Sequence, residues 1–304
     1  MPVWPPLQDD GTIVACAICG GRETAPIVDK MGYRIGRCVQ CGLVYANPRA
    51  PHEKILARYS SDYFWKEYLP SLGVVDGRYD LAHFDLRHKA VLDLIAARTR
   101  GRRLLEVGCG AGFFLKAAER AGWQVEGIEL SEEASRFAIE RLQLPIRRER
   151  AETAPIQPGS FDAAGMFDVI EHLFDPASVL AAIARALTPG GTLAISTPNF
   201  DSLSRAALGP DWAVLSPLEH VYYFTEVSLT RMLAAAGFPK VEFVRQHAMW
   251  GPQETLNFRY THEPNGWRSR ATEVMVRAGG MPLARLVQRA GRQDALLCFA
   301  RKAS

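Results

Sequence analysis

A glycine-rich turn between an apolar strand and a helix constrains the fold of this 304-residue chain more than any other feature. Residues 103–107 are predicted to form a buried parallel strand, because their side chains are largely apolar. Glycines follow at positions 108, 110 and 112, and a helical pattern begins at Phe113. Glycine lets the backbone turn tightly and approach a ligand, and the N–H groups of a helix N-terminus can bind that ligand. The segment therefore predicts a nucleotide-like cofactor.

The spacing of the glycines and a nearby carboxylate narrow the kind of ligand. The pattern is Gly-x-Gly-x-Gly, whereas dinucleotide sites carry Gly-x-Gly-x-x-Gly, and Glu106 stands just before the turn. A carboxylate repels a pyrophosphate and attracts a cation such as an ammonium or a sulfonium. We therefore expect a cationic group of the ligand beside Glu106.

Strand and helix patterns alternate along the chain from residue 103 onward. A glycine at 122 ends the first helix, Ser131 caps the next one, and Asp175 with Pro176 begins another. The predicted strands lie at residues 103–107, 124–129, 146–150, 161–167, 192–197, 240–245 and 295–301. Such alternation favours an α/β fold in which helices cover both faces of a parallel sheet.

Four of the six cysteines form two Cys-x-x-Cys pairs, Cys16 with Cys19 and Cys38 with Cys41. Two such knuckles can hold one zinc ion tetrahedrally and leave no position open for water, so the ion would be structural. Disulfides or redox dithiols are the alternative, and the duplicated spacing favours zinc over them. We therefore expect a small zinc ribbon, in which the metal replaces the core that so short a segment cannot bury.

Two motifs carry a resemblance to a known family. The sequence Leu-Glu-Val-Gly-Cys-Gly-x-Gly from residue 105 resembles the first motif of class I methyltransferases that use S-adenosylmethionine. The segment from Asp168 to His172, Asp-Val-Ile-Glu-His, is similar to a signature of the small-molecule methyltransferases around the ubiquinone-pathway O-methyltransferases. The resemblance covers residues 100–302 and implies a Rossmann-like, seven-stranded, mostly parallel sheet. Paired Cys-x-x-Cys motifs followed by Asn-Pro-Arg, here at 47–49, resemble the start of bacterial methyltransferases from polysaccharide and natural-product pathways.

Several residues are expected to bind the cofactor. Glu129 ends the second strand of the fold, where an acidic side chain can accept hydrogen bonds from both ribose hydroxyls. The resemblance implies that Glu152 faces the adenine amino group and that Phe167 and Asp168 line the pocket. The complete expected set is Glu106, Gly108, Cys109, Gly110, Gly112, Phe113, Glu129, Leu130, Glu152, Phe167 and Asp168.

Methyl transfer from a sulfonium requires an oriented acceptor and a base that removes its proton. By the same resemblance, Glu171 and His172 face the reacting centre, and His220 lies in a segment that precedes a late helix of the family. Histidine is a suitable base near neutral pH, so His172 and His220 are the candidates, with Tyr223 as an orienting group. Each histidine could instead be structural.

Three parts are predicted: a zinc ribbon at 1–50, a helical and aromatic segment at 51–99, and the methyltransferase domain at 100–304. The aromatic residues within 59–68 either pack the ribbon onto the main domain or form a lid over cofactor and substrate. His88 lies on the apolar face of a predicted helix and is interpreted as structural. Residues 247–294 are long for a connection and are expected to be a substrate-covering insertion.

The net charge of +3, from 36 basic and 33 acidic residues, does not predict a nucleic-acid partner. Two arginine-rich stretches, at 98–103 and 147–150, are interpreted as solvated loop ends. No apolar run predicts a membrane span, and the first residues lack the pattern of a signal peptide, so a cytoplasmic location is expected. The oligomeric state is left open.

The expected activity is methyl transfer from S-adenosylmethionine to a small metabolite, in particular to a hydroxyl of a sugar or natural-product precursor. One alternative is a zinc-ribbon RNA methyltransferase, against which stand the weak basic balance and the absence of an Asn-Pro-Pro-Tyr or Asp-Pro-Pro-Tyr motif. A sugar C-methyltransferase is another, and it would be expected to carry a large additional C-terminal domain. A dehydrogenase and a zinc adaptor without activity also stay open.

Overall fold

The computed structural model describes residues 6–57, 60–245 and 267–303. The strands are β1 (Thr24–Lys30), β2 (Tyr33–Cys38), β3 (Val44–Ala46), β4 (Arg103–Val107), β5 (Gln124–Glu129), β6 (Ile146–Arg148), β7 (Phe161–Phe167), β8 (Leu187–Pro198), β9 (Tyr222–Tyr223), β10 (Lys240–Phe243) and β11 (Ala295–Arg301). The larger sheet has the order β10-β11-β8-β7-β4-β5-β6. Only β11 runs antiparallel to its two neighbours within it, so the predicted Rossmann-like, seven-stranded, mostly parallel sheet is confirmed.

Helices flank this sheet and precede it. They are α1 (His52–Leu56), α2 (Ser61–Tyr63), α3 (Leu69–Ser71), α4 (Leu81–Ala96), α5 (Phe113–Arg120), α6 (Glu132–Leu142), α7 (Pro176–Ala186), α8 (Leu203–Leu208), α9 (Glu226–Ala235) and α10 (Trp267–Arg289). A π-helical turn, Phe64–Tyr68, joins α2 to α3, and Gly280 breaks α10. None of the helices in the described part of the chain combines the length and the apolar composition that a membrane crossing requires.

Helices α6 and α7 begin at the capping residues that the sequence predicts. The Ser131 hydroxyl accepts a hydrogen bond from the Ala134 N–H at the start of α6. The Asp175 carboxylate accepts one from the Ser178 N–H, and Pro176 is the first residue of α7. Such caps satisfy backbone N–H groups that have no partner within the helix.

Several ends differ from the predicted bounds. The turn signal at 45–49 predicts a helix that continues through 54–59. The helix seen there, α1, ends at Leu56, and Tyr59 lies outside the described residues. β6 and β10 each end two residues early. β8 begins at Leu187 rather than at 192, because Leu187 already pairs with Phe161 before an irregularity in the register.

Buried side chains form layers on both faces of the large sheet. On one face, Leu105 and Val107 of β4 pack in a cluster with α7 and α9. On the other face, Leu104 packs in a cluster with α4, α5 and α6. Alternate residues of a strand point to opposite faces, so a strand buried on both sides is apolar at nearly every position. The carboxyl ends of the central strands are thereby fixed between two helical layers.

The N-terminal strands form a second, four-stranded antiparallel sheet with the order β1-β2-β3-β9. Its last strand comes from far along the chain, since Tyr45 pairs with Tyr222 and Val44 with Tyr223. The core cluster that contains β4 also contains Cys16, Cys38 and Tyr45. The segment predicted as a ribbon is thus joined to the rest of the molecule by both a strand pairing and a shared core.

The residues after 245 are described only in part. Of the predicted insertion at 247–294, residues up to 266 lie outside the described residues, as do His247 and His262. The second half of α10 buries Ala284 and Val287, and Val287 packs in a cluster with Leu208 of α8.

Candidate functional site

The glycine turn after β4 is held directly by the carboxylate at the end of β5. The Gly110 N–H donates to Glu129 Oε2 over 2.8 Å, and the Ser131 N–H donates to Glu129 Oε1 over 2.7 Å. Gly110 has a φ of +52°, which side-chain-bearing residues rarely adopt, and a Cβ there would collide with the Tyr68 hydroxyl. The structure therefore brings the turn and Glu129 together, as expected for two parts of one site.

Glu106 is buried beside this turn. Glu106 is 4% exposed, and one carboxylate oxygen, Oε2, has no hydrogen-bond partner among the described residues. Burial, and secondarily the charge of Glu129, raises the pKa of Glu106 well above its ordinary value. A buried carboxylate without a partner is costly, so the arrangement favours a ligand that brings a cation or a donor to this oxygen.

The aromatic segment lies against the glycine turn through Tyr68. The Ala111 N–H contacts the Tyr68 hydroxyl over 3.4 Å, and the Tyr68 ring stacks on Phe64. Trp65 and Phe64 both meet the ring of Phe137 on α6 edge-on. The segment thus lies over the glycine turn and is also packed on a neighbouring helix. Sequence reasoning treated it as a whole and did not single out Tyr68.

Asp168 follows β7 in a strained backbone conformation with a φ of +54°. Aspartate tolerates this region better than most residues, and such conformations concentrate at functional sites. Asp168 Oδ1 accepts a hydrogen bond from the Ser196 hydroxyl over 3.0 Å, and burial raises its pKa. The preceding residue, Phe167, packs its ring on Phe114, with ring centroids 4.6 Å apart.

Two histidines meet next to Asp168. The rings of His172 and His220 lie 4.6 Å apart, although 47 residues separate them in the sequence. His172 Nδ1 is 2.8 Å from the Glu219 carbonyl, and His220 Nδ1 is 2.8 Å from the Val214 carbonyl. A carbonyl only accepts, so each Nδ1 donates, and the Nε2 of each neutral ring keeps its lone pair.

Electrostatics keep both imidazoles neutral. Burial lowers the pKa of His172 to about 3, and its neighbour His220 adds to the shift. Burial also lowers the pKa of His220, while the charges of Glu219 and Asp168 oppose this. Both neutral rings can accept a proton from the methyl acceptor, but a pKa of about 3 makes His172 a weak base, since general bases work best with a pKa near the operating pH.

Glu171 completes this cluster. Its Oε2 accepts from the Thr197 hydroxyl over 2.9 Å, and its Oε1 is buried without a hydrogen-bond partner in the part of the chain that the structure describes. One ligand atom each from Glu171, His172 and His220 lie within 4.8 Å of one another. The three groups could hand a proton among themselves, and the same three atoms could hold a divalent cation.

The other expected site residues occupy varied places. Glu152 Oε1 accepts from the Phe174 N–H over 3.3 Å, which puts it beside the segment that carries His172. Leu130 is 39% exposed directly after Glu129. The ring of Phe113 stacks on Phe84 of α4, so it belongs to the packing between helices. Cys109 is buried near the charges of Glu129 and Glu106, and Gly108 and Gly112 have positive φ.

The neighbouring residues Tyr222 and Tyr223 of β9 pack in different core clusters. Tyr222 belongs to the cluster that contains Leu105 and Val107 of β4, and Tyr223 does not. Tyr223 is buried in a cluster with Val44 and Phe200, and burial raises the pKa of its phenol well above the ordinary value. Its pairing with Val44 makes it a member of the ribbon's sheet.

The four N-terminal cysteines converge. Their Sγ atoms lie within 4.8 Å of one another, with Cys16 and Cys41 3.4 Å apart and Cys19 and Cys38 3.5 Å apart. Four sulfurs at Zn–S distances of about 2.3 Å in a tetrahedron are roughly 3.8 Å apart, so the arrangement fits a zinc ion.

Two supporting residues escaped sequence reasoning. Ser196 and Thr197 lie near the end of β8 and hold Asp168 and Glu171, which follow the neighbouring strand β7. The carboxyl ends of adjacent parallel strands meet at one edge of a sheet, and ligands bind there. That rule, applied to β7 and β8 together, was the signal that could have found them.

Comparison with known proteins agrees with this geometry. The chain is 41% identical over 116 residues to a ubiquinone biosynthesis O-methyltransferase of Xanthomonas campestris, covering 36% of this chain and 48% of that protein. It is 42% identical over 105 residues to one from Methylococcus capsulatus, covering 33% and 44%. The chain thus spans about half the length of the curated relatives it matches. A solved S-adenosylmethionine-dependent methyltransferase of Archaeoglobus fulgidus shares the fold, with a TM-score of 0.53, 17% identity, and coverage of 78% and 100%.

A family model also matches the chain. Its description is a methyltransferase domain, and it matches residues 78–242, which is more than half of the 304 residues. The match includes the glycine turn, Glu129 and the pair of histidines. The chain therefore belongs to the methyltransferase-domain family of the class I S-adenosylmethionine-dependent methyltransferases.

Proposed function

We propose that this protein transfers a methyl group from S-adenosylmethionine to a hydroxyl of a small metabolite, such as a sugar or a natural-product precursor. The glycine turn at 108–112, together with Glu106 and Glu129, is called the cofactor cradle below. The observation that carries the proposal is that this cradle lies next to the two neutral histidines, His172 and His220. Val169, next to Asp168, packs against Gly108 of the glycine turn, and the adjacent residues Ser196 and Thr197 of β8 hold Asp168 and Glu171. A donor and an acceptor bound on either side of Asp168 would then be held in contact, which is the main requirement of a displacement reaction.

The residues of the cradle fit this cofactor. Glu129 uses one lone pair on each oxygen for backbone N–H groups and retains others for ribose hydroxyls. Glu106 offers a buried, unpartnered oxygen for a cationic group. We assign the remaining contacts to Gly108, Cys109, Gly112, Leu130, Glu152, Phe167 and Asp168, and backbone contacts to Phe113. When bound, S-adenosylmethionine supplies a methyl group made electrophilic by its sulfonium.

The base in this proposal is His172 or His220. Each presents an Nε2 lone pair, because a backbone carbonyl holds its Nδ1. Glu171 would stabilise the protonated imidazole, since its free Oε1 is buried in the same cluster. Tyr223 is proposed to orient the segment that carries His220 rather than to touch the acceptor.

A small acceptor is favoured over RNA by the pairing of the arginines. In the first stretch, Arg98 pairs with Glu242 and Arg103 with Asp162. In the second, Arg147 pairs with Glu126 and Arg148 with Glu132. These charges are compensated and offer little for phosphates. The names of the two curated relatives, O-methyltransferases, favour a hydroxyl acceptor.

The four cysteines are proposed to bind one structural zinc ion. All four sulfurs would be ligands, so the ion would have no open position and would take no part in the reaction. Its contribution would be to the folding of β1, β2 and β3.

Calorimetry with S-adenosylhomocysteine and with NAD tests the cofactor. We expect saturable binding of the former and none of the latter. Ligand at about 100 times its dissociation constant should also raise the free energy of unfolding by roughly 2.7 kcal/mol. Binding of NAD alone would overturn the proposal.

Methyl transfer from labelled S-adenosylmethionine to a panel of phenols, catechols and nucleotide-linked sugars tests the acceptor and the base. With an acceptor in hand, changing the true base to asparagine, as in His172→Asn or His220→Asn, should lower turnover by roughly 10² to 10⁴. Affinity for S-adenosylhomocysteine should stay the same. The assay is run with a chelator and with added Mg²⁺, because Glu171 and the two histidines could hold a cation. Full turnover by both variants would contradict the role of base.

A further inference from the structure

Arg49 stands between the ribbon and the two segments that carry the histidines. It follows β3 in the Asn-Pro-Arg motif and is 6% exposed. Its guanidinium carbon lies 4.9 Å from the ring centre of Tyr222 and 5.7 Å from that of Phe174. Its Nη1 donates to the Phe174 carbonyl over 3.1 Å. One side chain of the ribbon thus contacts both the segment after His172 and the segment after His220.

The polar contacts of Arg49 are few for a buried cation. Its Nε and Nη2 atoms are buried and have no hydrogen-bond partner in the described part of the chain. Apart from its hydrogen bond to the Phe174 carbonyl, the guanidinium is held by two aromatic rings, an interaction that is strongest where water is excluded. A planar cation between two rings fixes their spacing, whereas a flexible ammonium would not. The geometry is that of a spacer between Phe174 and Tyr222.

The backbone makes a second connection between the same parts. The Ala46 N–H of β3 donates to the Val221 carbonyl over 3.0 Å. The Val221 and Tyr222 N–H groups donate in turn to the Glu171 carbonyl over 2.8 and 3.1 Å. The ribbon is therefore two hydrogen bonds away from Glu171. The adjoining carbonyl of Glu219 holds the His172 ring, so the 219–222 segment carries one histidine and holds the other.

From these contacts we propose that Arg49 is a positioning residue of the methyl-transfer site, and that through it the zinc ribbon sets the spacing of His172 and His220. The inference takes the site's role from the proposed function, but the positioning itself can be measured without any substrate. Loss of Arg49 would leave the 168–176 and 217–224 segments joined by the hydrogen bonds at the Glu171 carbonyl and at His172, without the side chain that spaces Phe174 from Tyr222. We therefore expect both segments to open more often while the large sheet stays folded.

Hydrogen–deuterium exchange of the full-length, zinc-loaded protein tests this. The variants are Arg49→Met, which removes the charge and keeps the length, and Arg49→Lys, which keeps the charge but not the planar group. The matched control is Arg34→Gln on β2, because the guanidinium of Arg34 forms an exposed ion pair with Asp29 of β1 and not the ring contacts that Arg49 makes. Exposed pairs of this kind contribute about 1 kcal/mol or less.

In Arg49→Met, we expect exchange in 168–176 and 217–224 to rise roughly tenfold, with exchange in 103–109 unchanged. Arg49→Lys should fall between this variant and the natural protein, and Arg34→Gln should match the natural protein. Unchanged exchange, an equal rise across the whole chain, or the same rise in Arg34→Gln would overturn the inference. If Arg49→Met does not fold, Arg49→Lys decides by the same criteria.

Binding of S-adenosylhomocysteine is measured on the same samples. A natural protein that does not bind it, yet shows the local exchange pattern on mutation, would overturn the proposed function and leave Arg49's positioning of the two segments in place. If the natural protein binds S-adenosylhomocysteine but mutation of Arg49 gives no local rise in exchange, the positioning role of Arg49 would be overturned and the proposed function would stand.

Discussion

At the scale of single residues, the carboxylate of Glu129 accepts hydrogen bonds from the backbone and is also proposed to accept them from the ligand. It holds the glycine turn through Gly110 and the next helix through Ser131, and it is proposed to receive the ribose. The N–H groups of Gly110 and Ser131 each donate to one oxygen of this carboxylate. A glutamine side chain replaces one of these oxygens by an N–H₂ group, which cannot accept from the N–H group that faces it. The turn and the ribose contact are therefore predicted to fail together.

Glu129→Gln should weaken binding of S-adenosylhomocysteine by about 1.5–3 kcal/mol, or roughly 10- to 150-fold, because hydrogen bonds to a charged group are lost. Calorimetry measures the affinity. Glu126→Gln, on the same strand but in an ion pair with Arg147, is the control and should bind normally. Equal affinities of the two variants would contradict the role of Glu129.

His88 gives the fold a dependence on pH that is separate from the site. It lies on α4 against the rings of Phe84 and Phe114, and burial lowers its pKa from 6.5 to about 4. The unfolded chain therefore binds more protons than the folded one between these values, so stability falls as the pH falls through about 6.5.

Urea unfolding at pH 7 and pH 5 should show that the natural protein loses about 2 kcal/mol more than His88→Gln over this interval. His83→Gln is the matched control, because His83 is an exposed histidine on the same helix. Its loss should equal that of the natural protein. Parallel losses in all three proteins would show that His88 is not the group responsible.

At the scale of elements, the segment from α2 to α3 is both packed and poised over the cofactor cradle. Phe64 is buried against α6, which is the packing role, and Tyr68 reaches the backbone of the glycine turn, which is the position a lid needs. The packing seen is onto α6 of the methyltransferase domain rather than between the ribbon and that domain, and the role of a lid stays a prediction.

Tyr68→Phe keeps the ring and removes the hydroxyl, so affinity for S-adenosylhomocysteine should fall by roughly 2- to 10-fold, as expected for one hydrogen bond. Tyr79→Phe is the control, because it removes a hydroxyl that contacts the Arg141 carbonyl instead of the turn. Fluorescence or calorimetric titration checks both. An unchanged affinity of Tyr68→Phe would leave the segment with a packing role alone.

The sequence was most informative about elements whose signals are local. The strand of 103–107, the Ser131 cap and the Asp175-Pro176 start needed only neighbouring residues to be recognised, and the structure confirms them. The pairing of Tyr45 with Tyr222 could not be predicted, because a two-residue strand has no pattern of its own. The meeting of His172 with His220 rests on backbone carbonyls that hold each ring, which no side-chain motif reveals.

At the scale of the whole molecule, the ribbon is integrated rather than appended. Its sheet includes β9, and Arg231 of α9 donates to the Cys41 carbonyl over 2.7 Å. Loss of the metal is therefore expected to reach beyond the cysteines, to the strand that follows His220.

Cys38→Ser should abolish the one equivalent of zinc expected per chain and lower the midpoint of thermal unfolding, because zinc binding contributes to folding. Elemental analysis and calorimetry measure the two effects. Cys298→Ala, which alters a buried cysteine of β11, should keep its zinc. Metal-free natural protein, purified without a chelator, would contradict the zinc site.

The strand pairing between β3 and β9 also has a consequence for synthesis. About 180 residues separate Val44 from Tyr223, so the ribosome finishes the cysteine knuckles long before the last strand of their sheet exists. During that interval the edge of β3 is open to other chains, and unpaired edges of this kind are sites of aggregation. We therefore expect the yield of soluble protein to rise when synthesis is slowed at lower temperature, and to rise by more than the stability of the folded protein alone would predict.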